Sequence, residues 1–421
     1  MKKDITNNIH KIAALFSLRS MLLCAIFILM LIVASELIFV GKAVLLPSSG
    51  EGKSLRQYAQ QVMETCASSS YRPGCYDKEI PKLMDMISME DSFTVTRIIQ
   101  EKDSDYWYCH VLGHNVSGRE TAKNPEKWKE VIPRCPSGTC SNGCIHGALQ
   151  ERFRKEKFSE DEVEKVLPDL SDICDEKPDW HPTGMERSTC YHALGHLLMY
   201  LTAADAKKSV DVCARIAHKS DGGDFTQVCY DGVFMQLFQP LEPEDIALIE
   251  GKTPQKEELK SFCAPYDTQP RASCWSEGWP LFWEQVKKPE GLVRFCSVLE
   301  EGTARQRCYN GMFFVMAAQF RLDEEKIFNF CREIPLPSRE RCFANGAGRM
   351  IETDFKLIGK ALEICHRAVS VAAGDACYAE LVTYAQFNFH RDSKEQKELC
   401  EGLPSQWRTN CGSPPQANGL K

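Results

Sequence analysis

Residues 324–352 read "EEKIFNFCREIPLPSRERCFANGAGRMIE", and this stretch decides the fold. Ile327, Phe328, Cys331 and Ile334 are three or four residues apart, which is the spacing of one face of an α-helix. The two prolines of "PLPSRER" interrupt that helix, and "CFANGAGRMIE" begins another. The stretch therefore predicts a helical hairpin with one cysteine in each of its two helices.

The cysteine of the second helix recurs along the chain with a period of 34 to 35 residues. From Cys274 the steps to Cys308, Cys342, Cys377 and Cys411 are 34, 34, 35 and 34 residues. An aromatic residue follows the cysteine in most copies, and a glycine comes three or four residues after it in six. The complete series is Cys75, Cys109, Cys144, Cys190, Cys229, Cys274, Cys308, Cys342, Cys377 and Cys411. Because several columns share one period, the sequence predicts about ten two-helix repeats.

A second cysteine precedes nine of these ten positions, in the first helix of the repeat. These nine are Cys66, Cys135, Cys174, Cys213, Cys263, Cys296, Cys331, Cys365 and Cys400. Only Cys109 lacks such a partner, and Cys140 is left over to pair with it. All twenty cysteines after Cys24 are then paired, and no C-x-x-C zinc knuckle occurs, so the spacing favours disulfides over zinc. Each short loop closed in this way contributes about 3 kcal/mol in the chain-entropy model.

Helical hairpins of this length stack into solenoids. We therefore predict an all-α fold, a right-handed α-solenoid over residues 55–411, followed by a disordered tail at 412–421. The period and the staple position resemble the tetratricopeptide and Sel1-like families, above all the disulfide-stapled, secreted Sel1-like proteins. The W-x-x-L-G-x-x-Y pattern and the Sel1 glycines are absent. The motifs "GCIHGALQ", "CYHALGH" and "CYDGVFMQ" also resemble uncharacterised membrane-anchored, cysteine-rich prokaryotic proteins. Both resemblances imply an architecture and no activity.

The N-terminal region is apolar over residues 21–41, interrupted by Glu36. That length predicts one transmembrane helix between a cytoplasmic tail, 1–20, and a linker, 42–54. A cleaved signal peptide is the alternative. The density of cysteines after the span predicts that the repeat domain lies in an oxidising, extracytoplasmic compartment: the periplasm, the cell surface or a lumen.

The formal net charge is -7, with basic and acidic residues interspersed along the chain. The sequence has no basic block, so we expect no nucleic-acid partner. The partners expected instead are the lipid bilayer, through the anchor, and a protein or glycan, through the curved surface that solenoids offer.

Five histidines fall near the start of three consecutive second helices: His110, His114, His146, His192 and His196. Residues four apart share one helical face, and neighbouring helices pack 8–10 Å apart. We therefore expect the five imidazoles to converge on a site suited to Zn, Cu or Fe. The alternative is a polar column along the solenoid, since Asp231, Ser276 and Asn310 occupy equivalent positions in later repeats.

The sequence leaves two functional hypotheses. The first is a membrane-anchored scaffold whose groove is lined by Gln150, Glu151, Asp231, Ser276 and Asn310 and binds a protein or glycan. The second is a metal-dependent enzyme or metal-handling protein centred on the five histidines. The sequence assigns no catalytic residue, because "HALGH" lacks the glutamate of H-E-x-x-H and no G-x-S-x-G occurs. Enzymatic activity is left open.

Overall fold

The computed structural model describes residues 53–153, 158–219, 223–241 and 243–411. These residues form twenty-two α-helices and no β-strand. In the first half the helices are α1 (Leu55–Cys66), α2 (Arg72–Glu79), α3 (Met89–Gln100), α4 (His110–Lys123), α5 (Trp128–Val131), α6 (Gly143–Phe153), α7 (Glu160–Asp172), α8 (Gly184–Leu201), α9 (Ala206–Ile216), α10 (Thr226–Phe238) and α11 (Pro243–Ile249). In the second half they are α12 (Leu259–Cys263), α13 (Thr268–Glu277), α14 (Trp283–Val286), α15 (Pro289–Cys296), α16 (Thr303–Gln319), α17 (Glu324–Arg332), α18 (Ser338–Thr353), α19 (Ile358–Ala368), α20 (Gly374–Asn388), α21 (Lys394–Gly402) and α22 (Ser405–Cys411).

The predicted transmembrane helix, the cytoplasmic tail, the C-terminal tail and nearly all of the linker lie outside the described residues. Among the helices that are described, none combines the length and the apolar character needed to cross a bilayer. The anchor therefore stays a prediction from residues 21–41.

The hairpin at residues 324–352 forms as α17 and α18, but its second helix begins earlier than the sequence predicted. Ile327 and Ile334 are buried as expected, and Asp323 caps α17 by accepting from the backbone N–H of Lys326 at 2.9 Å. The second helix starts at Ser338, not at Cys342, with Pro337 directly before it. Proline is excluded from helix interiors but tolerated at helix starts, so the prolines end α17 without delaying α18.

All ten disulfides pair as the cysteine spacing predicts. They are Cys66–Cys75, Cys109–Cys140, Cys135–Cys144, Cys174–Cys190, Cys213–Cys229, Cys263–Cys274, Cys296–Cys308, Cys331–Cys342, Cys365–Cys377 and Cys400–Cys411. Nine join cysteines separated by 9 to 16 residues, and only Cys109–Cys140 spans 31. A helix pair with a covalent link across its loop is the repeating unit of the fold.

The second helices of successive repeats pack against one another in chain order. Thus α4 packs on α6, α8 on α10, α16 on α18, and α18 on α20. This nearest-neighbour pattern is compatible with a helical solenoid, in which each repeat buries its apolar face against the next.

Late repeats also return to contact early ones. The Arg97 guanidinium pairs with the buried carboxylate of Asp354, and the backbone N–H of Phe355 donates to the carbonyl of Gly138 at 3.1 Å. Further along the chain, α20 of a late repeat contacts α8 of an early repeat. The order of contacts is the same along both stretches, so the array curves until its late repeats meet its early ones.

Candidate metal centre

Glycines bring α4 and α6 into close contact and so position the first three histidines. A Cβ at Gly143 would lie 2.2 Å from the carbonyl oxygen of His110, and one at Gly147 would lie 2.2 Å from that of His114. A Cβ at Gly113 would lie 2.7 Å from the backbone nitrogen of Cys144. Only a residue without a side chain allows the two backbones to approach this closely. His110 and His114 are thereby placed beside the helix that carries His146.

Glycines also bring α8 and α10 into close contact. A Cβ at Gly195 would lie 2.1 Å from the carbonyl oxygen of Cys229, and one at Gly232 would lie 2.0 Å from that of His192. The second histidine pair therefore sits against its neighbouring helix in the way that the first pair does.

A turn in the left-handed region leads into α6, beside the first histidine pair. Cys140, Ser141 and Asn142 have φ angles of 52°, 48° and 53°, directly before α6. Such residues cost on the order of 1 kcal/mol each and persist where the surroundings hold them. Here the disulfide from Cys140 to Cys109 ties the turn to the residue preceding His110.

The five imidazoles lie together, as the sequence predicts. Ring centroids are 4.9 Å apart for His110 and His146, and 5.1 Å for His114 and His146. On the other side, His146 lies 5.4 Å from His192 and 5.5 Å from His196. His146 is thus the centre of the cluster, with one histidine pair on each side.

Each pair brings two Nε2 atoms into contact. The Nε2 atoms of His110 and His114 are 3.1 Å apart, and those of His192 and His196 are also 3.1 Å apart. Zn–N bonds are about 2.0–2.1 Å, so ligands of one ion lie roughly 3–4 Å apart. Both pairs have the spacing of two ligands to a common ion.

A glutamine orients the second histidine of each pair. His114 Nδ1 lies 3.1 Å from Oε1 of Gln150, and His196 Nδ1 lies 2.7 Å from Oε1 of Gln236. An oxygen acceptor at Nδ1 places the ring proton there and leaves the Nε2 lone pair for a metal.

His146 has no such partner. It is 3% exposed, and neither of its ring nitrogens makes a hydrogen bond to any residue that the structure describes. One nitrogen each from His110, His114 and His146 lie within 4.8 Å of one another. A buried polar group without a partner costs about 1–3 kcal/mol, and an ion at this point would satisfy it.

Burial favours the uncharged form of four of the five histidines. Burial lowers the pKa of His110, His146 and His192 well below the ordinary histidine value, and the neighbouring histidines lower it further. Burial also lowers the pKa of His196. The neutral rings offer lone pairs to a cation at neutral pH.

A small cavity of about 10 Å³ reaches the cluster. It is lined by His110, His114, His146, Gln150, His196, Met235, Gln236, Gln239, Leu241 and Asp245. That volume is about the space of one water molecule. A larger cavity of about 250 Å³ lies next to it, and His114 and Gln150 line both.

The predicted groove residues divide into two sets. Gln150 belongs to the histidine cluster, and Glu151 lines the larger cavity beside it. Asp231 instead accepts from Ser273 and Gln227, and Asn310 contacts the Asn345 amide at 3.4 Å.

Ser276 is half-buried on α13. The part of the polar column formed by Asp231 and Asn310 is therefore a hydrogen-bond ladder between helices, which is the alternative that the sequence left open.

Asp231 and Glu277 are half-buried carboxyl groups on α10 and α13. Gln239, which lines the small cavity, donates to the Glu277 carboxyl at 2.6 Å. Burial raises the pKa of Glu277 well above its ordinary value, and the charge of Asp231 adds to this. Burial likewise raises the pKa of Asp231. Burial therefore favours the protonated form of both carboxyl groups.

Sequence reasoning missed Gln236, Gln239, Asp245 and Arg349. Gln236 carried a signal, because "GCIHGALQ" and "CYDGVFMQ" both end in glutamine. Arg349 carried none, since it comes from a repeat remote in sequence. Its guanidinium lies 5.2 Å from the ring centroid of Tyr108, whose ring stacks 6.3 Å from His110.

Comparisons with protein-family models, with curated proteins and with solved structures found no match to this chain. The resemblance to Sel1-like and tetratricopeptide proteins therefore rests on architecture: an all-helical array with disulfides inside helix pairs.

Proposed function

We propose that this protein binds a transition-metal ion through His110, His114 and His146 in an oxidising, extracytoplasmic compartment. The observation that carries the proposal is the state of His146: it is buried and central, has no hydrogen-bond partner among the described residues, and has two further imidazole nitrogens within 4.8 Å. Ten disulfides support the compartment, because disulfides form and persist in oxidising environments.

The donor set indicates the class of metal. Imidazole suits Zn, Cu and Fe, whereas Ca and Mg prefer oxygen ligands. The glutamine at Nδ1 of His114 supplies the outer hydrogen bond that metal-bound histidines have. The three-histidine group is therefore suited to Zn, Cu or Fe.

The cavity favours a metal-holding role over turnover of an organic substrate. At about 10 Å³ the space at the histidines admits an ion with about one water. The 250 Å³ cavity at Gln150 and Glu151 gives the ion a route in from the side. We infer storage, transfer or structural use of the ion, and the scaffold that binds a protein or glycan stays the second hypothesis.

The test is the metal content and affinity of the full chain produced in an oxidising compartment. Elemental analysis should find at least one ion of Zn, Cu or Fe per chain. His146→Ala should weaken the tightest binding by more than about a hundredfold, since even loss of an outer hydrogen-bond partner costs 10–100-fold. Competition against a chromophoric chelator measures the affinity.

The matched control is His390→Ala, which removes an exposed histidine far along the chain. It should bind metal as the wild type does. A wild-type chain that binds none of these metals, or a His146→Ala variant with unchanged affinity, would contradict the proposal.

A further inference from the structure

The pair His192 and His196 is not needed by the three-histidine site, yet it has all the features of a metal-binding pair. His196 is 4% exposed, and the two Nε2 atoms are 3.1 Å apart. We propose that this pair binds a second transition-metal ion, so that the protein carries a binuclear centre. The inference rests on the proposed function and adds a second position to it.

The tautomers of this pair carry the argument. Nδ1 of His192 lies 3.1 Å from the backbone carbonyl oxygen of Val228, which can only accept a hydrogen bond. Nδ1 of His196 lies 2.7 Å from Oε1 of Gln236. The Val228 carbonyl therefore holds the proton of His192 on Nδ1 and leaves its Nε2 as a lone pair, whereas the proton of His196 follows the atom of the Gln236 amide that faces it.

With the amide oxygen of Gln236 at Nδ1 of His196, both Nε2 atoms present lone pairs, and lone pairs that face each other at 3.1 Å repel. The contact is held by the close packing of α8 on α10 through Gly195 and Gly232, so the rings have not moved apart. A cation between the two nitrogens turns the repulsion into coordination. The small cavity reaches His196 together with Gln236, Gln239 and Asp245, and a water there would complete the ligand set.

The duplication of the site supports the same conclusion. Each half consists of an H-x-x-x-H pair with Nε2 atoms 3.1 Å apart, an orienting glutamine, and a glycine contact between helices. The first half can take His146 as its third ligand, whereas the second ion would take water in that place. The second ion should therefore bind more weakly than the first.

The experiment is a titration of chelator-treated full chain with Co(II), followed by its visible absorption and by Zn(II) stoichiometry. The wild type should take up two ions in two steps, the first tighter than the second. The double variant His192→Gln/His196→Gln should lose the weaker step and keep the tighter one. The double variant His110→Gln/His114→Gln should lose the tighter step.

Near-UV circular dichroism and the number of free thiols, unchanged from the wild type, show that each variant is folded and oxidised. His390→Ala should bind two ions. Uptake of one ion by the wild type overturns the second site and leaves the proposed function standing, whereas uptake of none overturns both. A second step that survives in His192→Gln/His196→Gln also overturns the inference, because the ion then lies elsewhere.

Discussion

The histidine-bearing repeats and the later repeats share a motif but use its glycine differently. A Cβ at Gly147 or Gly232 would lie within 2.2 Å of a backbone carbonyl of the neighbouring helix. Among the described residues, a Cβ at Gly311 would meet nothing within 4 Å, and one at Gly346 would meet only the side chain of Ile327. The contrast teaches that the repeat alone does not demand closely packed second helices. Among the described second helices, the motif glycine makes such backbone contacts in the region where the imidazoles meet.

The largest expected effect comes from filling one of the close contacts. Gly147→Ala places a methyl group against the carbonyl of His114, and overpacking of this kind costs about 3 kcal/mol. The matched variant Gly311→Ala adds the same methyl in open space and should gain about 0.5–1 kcal/mol from helix propensity. Urea unfolding measures both. Equal changes in the free energy of unfolding for the two variants would show that the second helices pack alike in the two regions.

The next effect tests the contact between early and late repeats. Asp354→Ala leaves the Arg97 guanidinium without its buried partner, and breaking a fully buried pair costs roughly 3–5 kcal/mol. Because Arg97 is 22% exposed and also donates to Thr139, we expect a loss of about 2 kcal/mol in the free energy of unfolding. The exposed pair of Arg215 and Glu164 is the control: Arg215→Ala should change stability by less than about 1 kcal/mol.

A smaller effect is expected from pH, and it concerns the buried histidines of the early repeats. The pKa of His146 is lowered by burial in the folded chain, so the unfolded chain binds its proton first as pH falls. The stability contributed by neutral His146 is complete above the unfolded pKa of about 6.5 and is lost below it.

Between pH 6.5 and 5.5, chelator-treated wild type should therefore lose about 1 kcal/mol more than His146→Gln. Urea unfolding at the two pH values measures this difference. Identical pH slopes for the two chains would mean that His146 is solvated in the folded protein.

The smallest effect is expected in the polar ladder of the late repeats. Asn310 is half-buried and makes two side-chain contacts of 3.4 Å. Asn310→Ala should cost about 0.5 kcal/mol, the low end for a hydrogen bond, and should leave metal content unchanged. A loss of bound metal in this variant would mean that the ladder and the histidine cluster act as one unit.

The sequence predicted the parts of the fold that repeat locally. Because Cys331 and Cys342 flank a proline-broken loop, one hairpin was enough to predict the staple. The four-residue spacing of His110 and His114 was enough to predict a shared face. These inferences need only helical geometry and nearest neighbours.

Helical geometry and nearest-neighbour packing do not predict the curvature of the array. The pairing of Arg97 with Asp354 depends on small rotations that add up over many helix interfaces, and no local pattern encodes their sum. The approach of Arg349 to Tyr108 has the same origin. The role of Gln236 could have been predicted, because its motif repeats that of Gln150. The polar column predicted Asp231 of the same motif instead.

The disulfide between Cys109 and Cys140 bears on the order of events as the protein folds. Cys109 immediately precedes His110, and Cys140 opens the left-handed turn that leads into α6. While the chain is reduced, nothing covalent holds these segments together, so the first histidine pair is not yet fixed beside His146. We therefore expect uptake of the proposed metal ion to follow oxidation, with the ion supplied by the compartment in which the protein finishes folding.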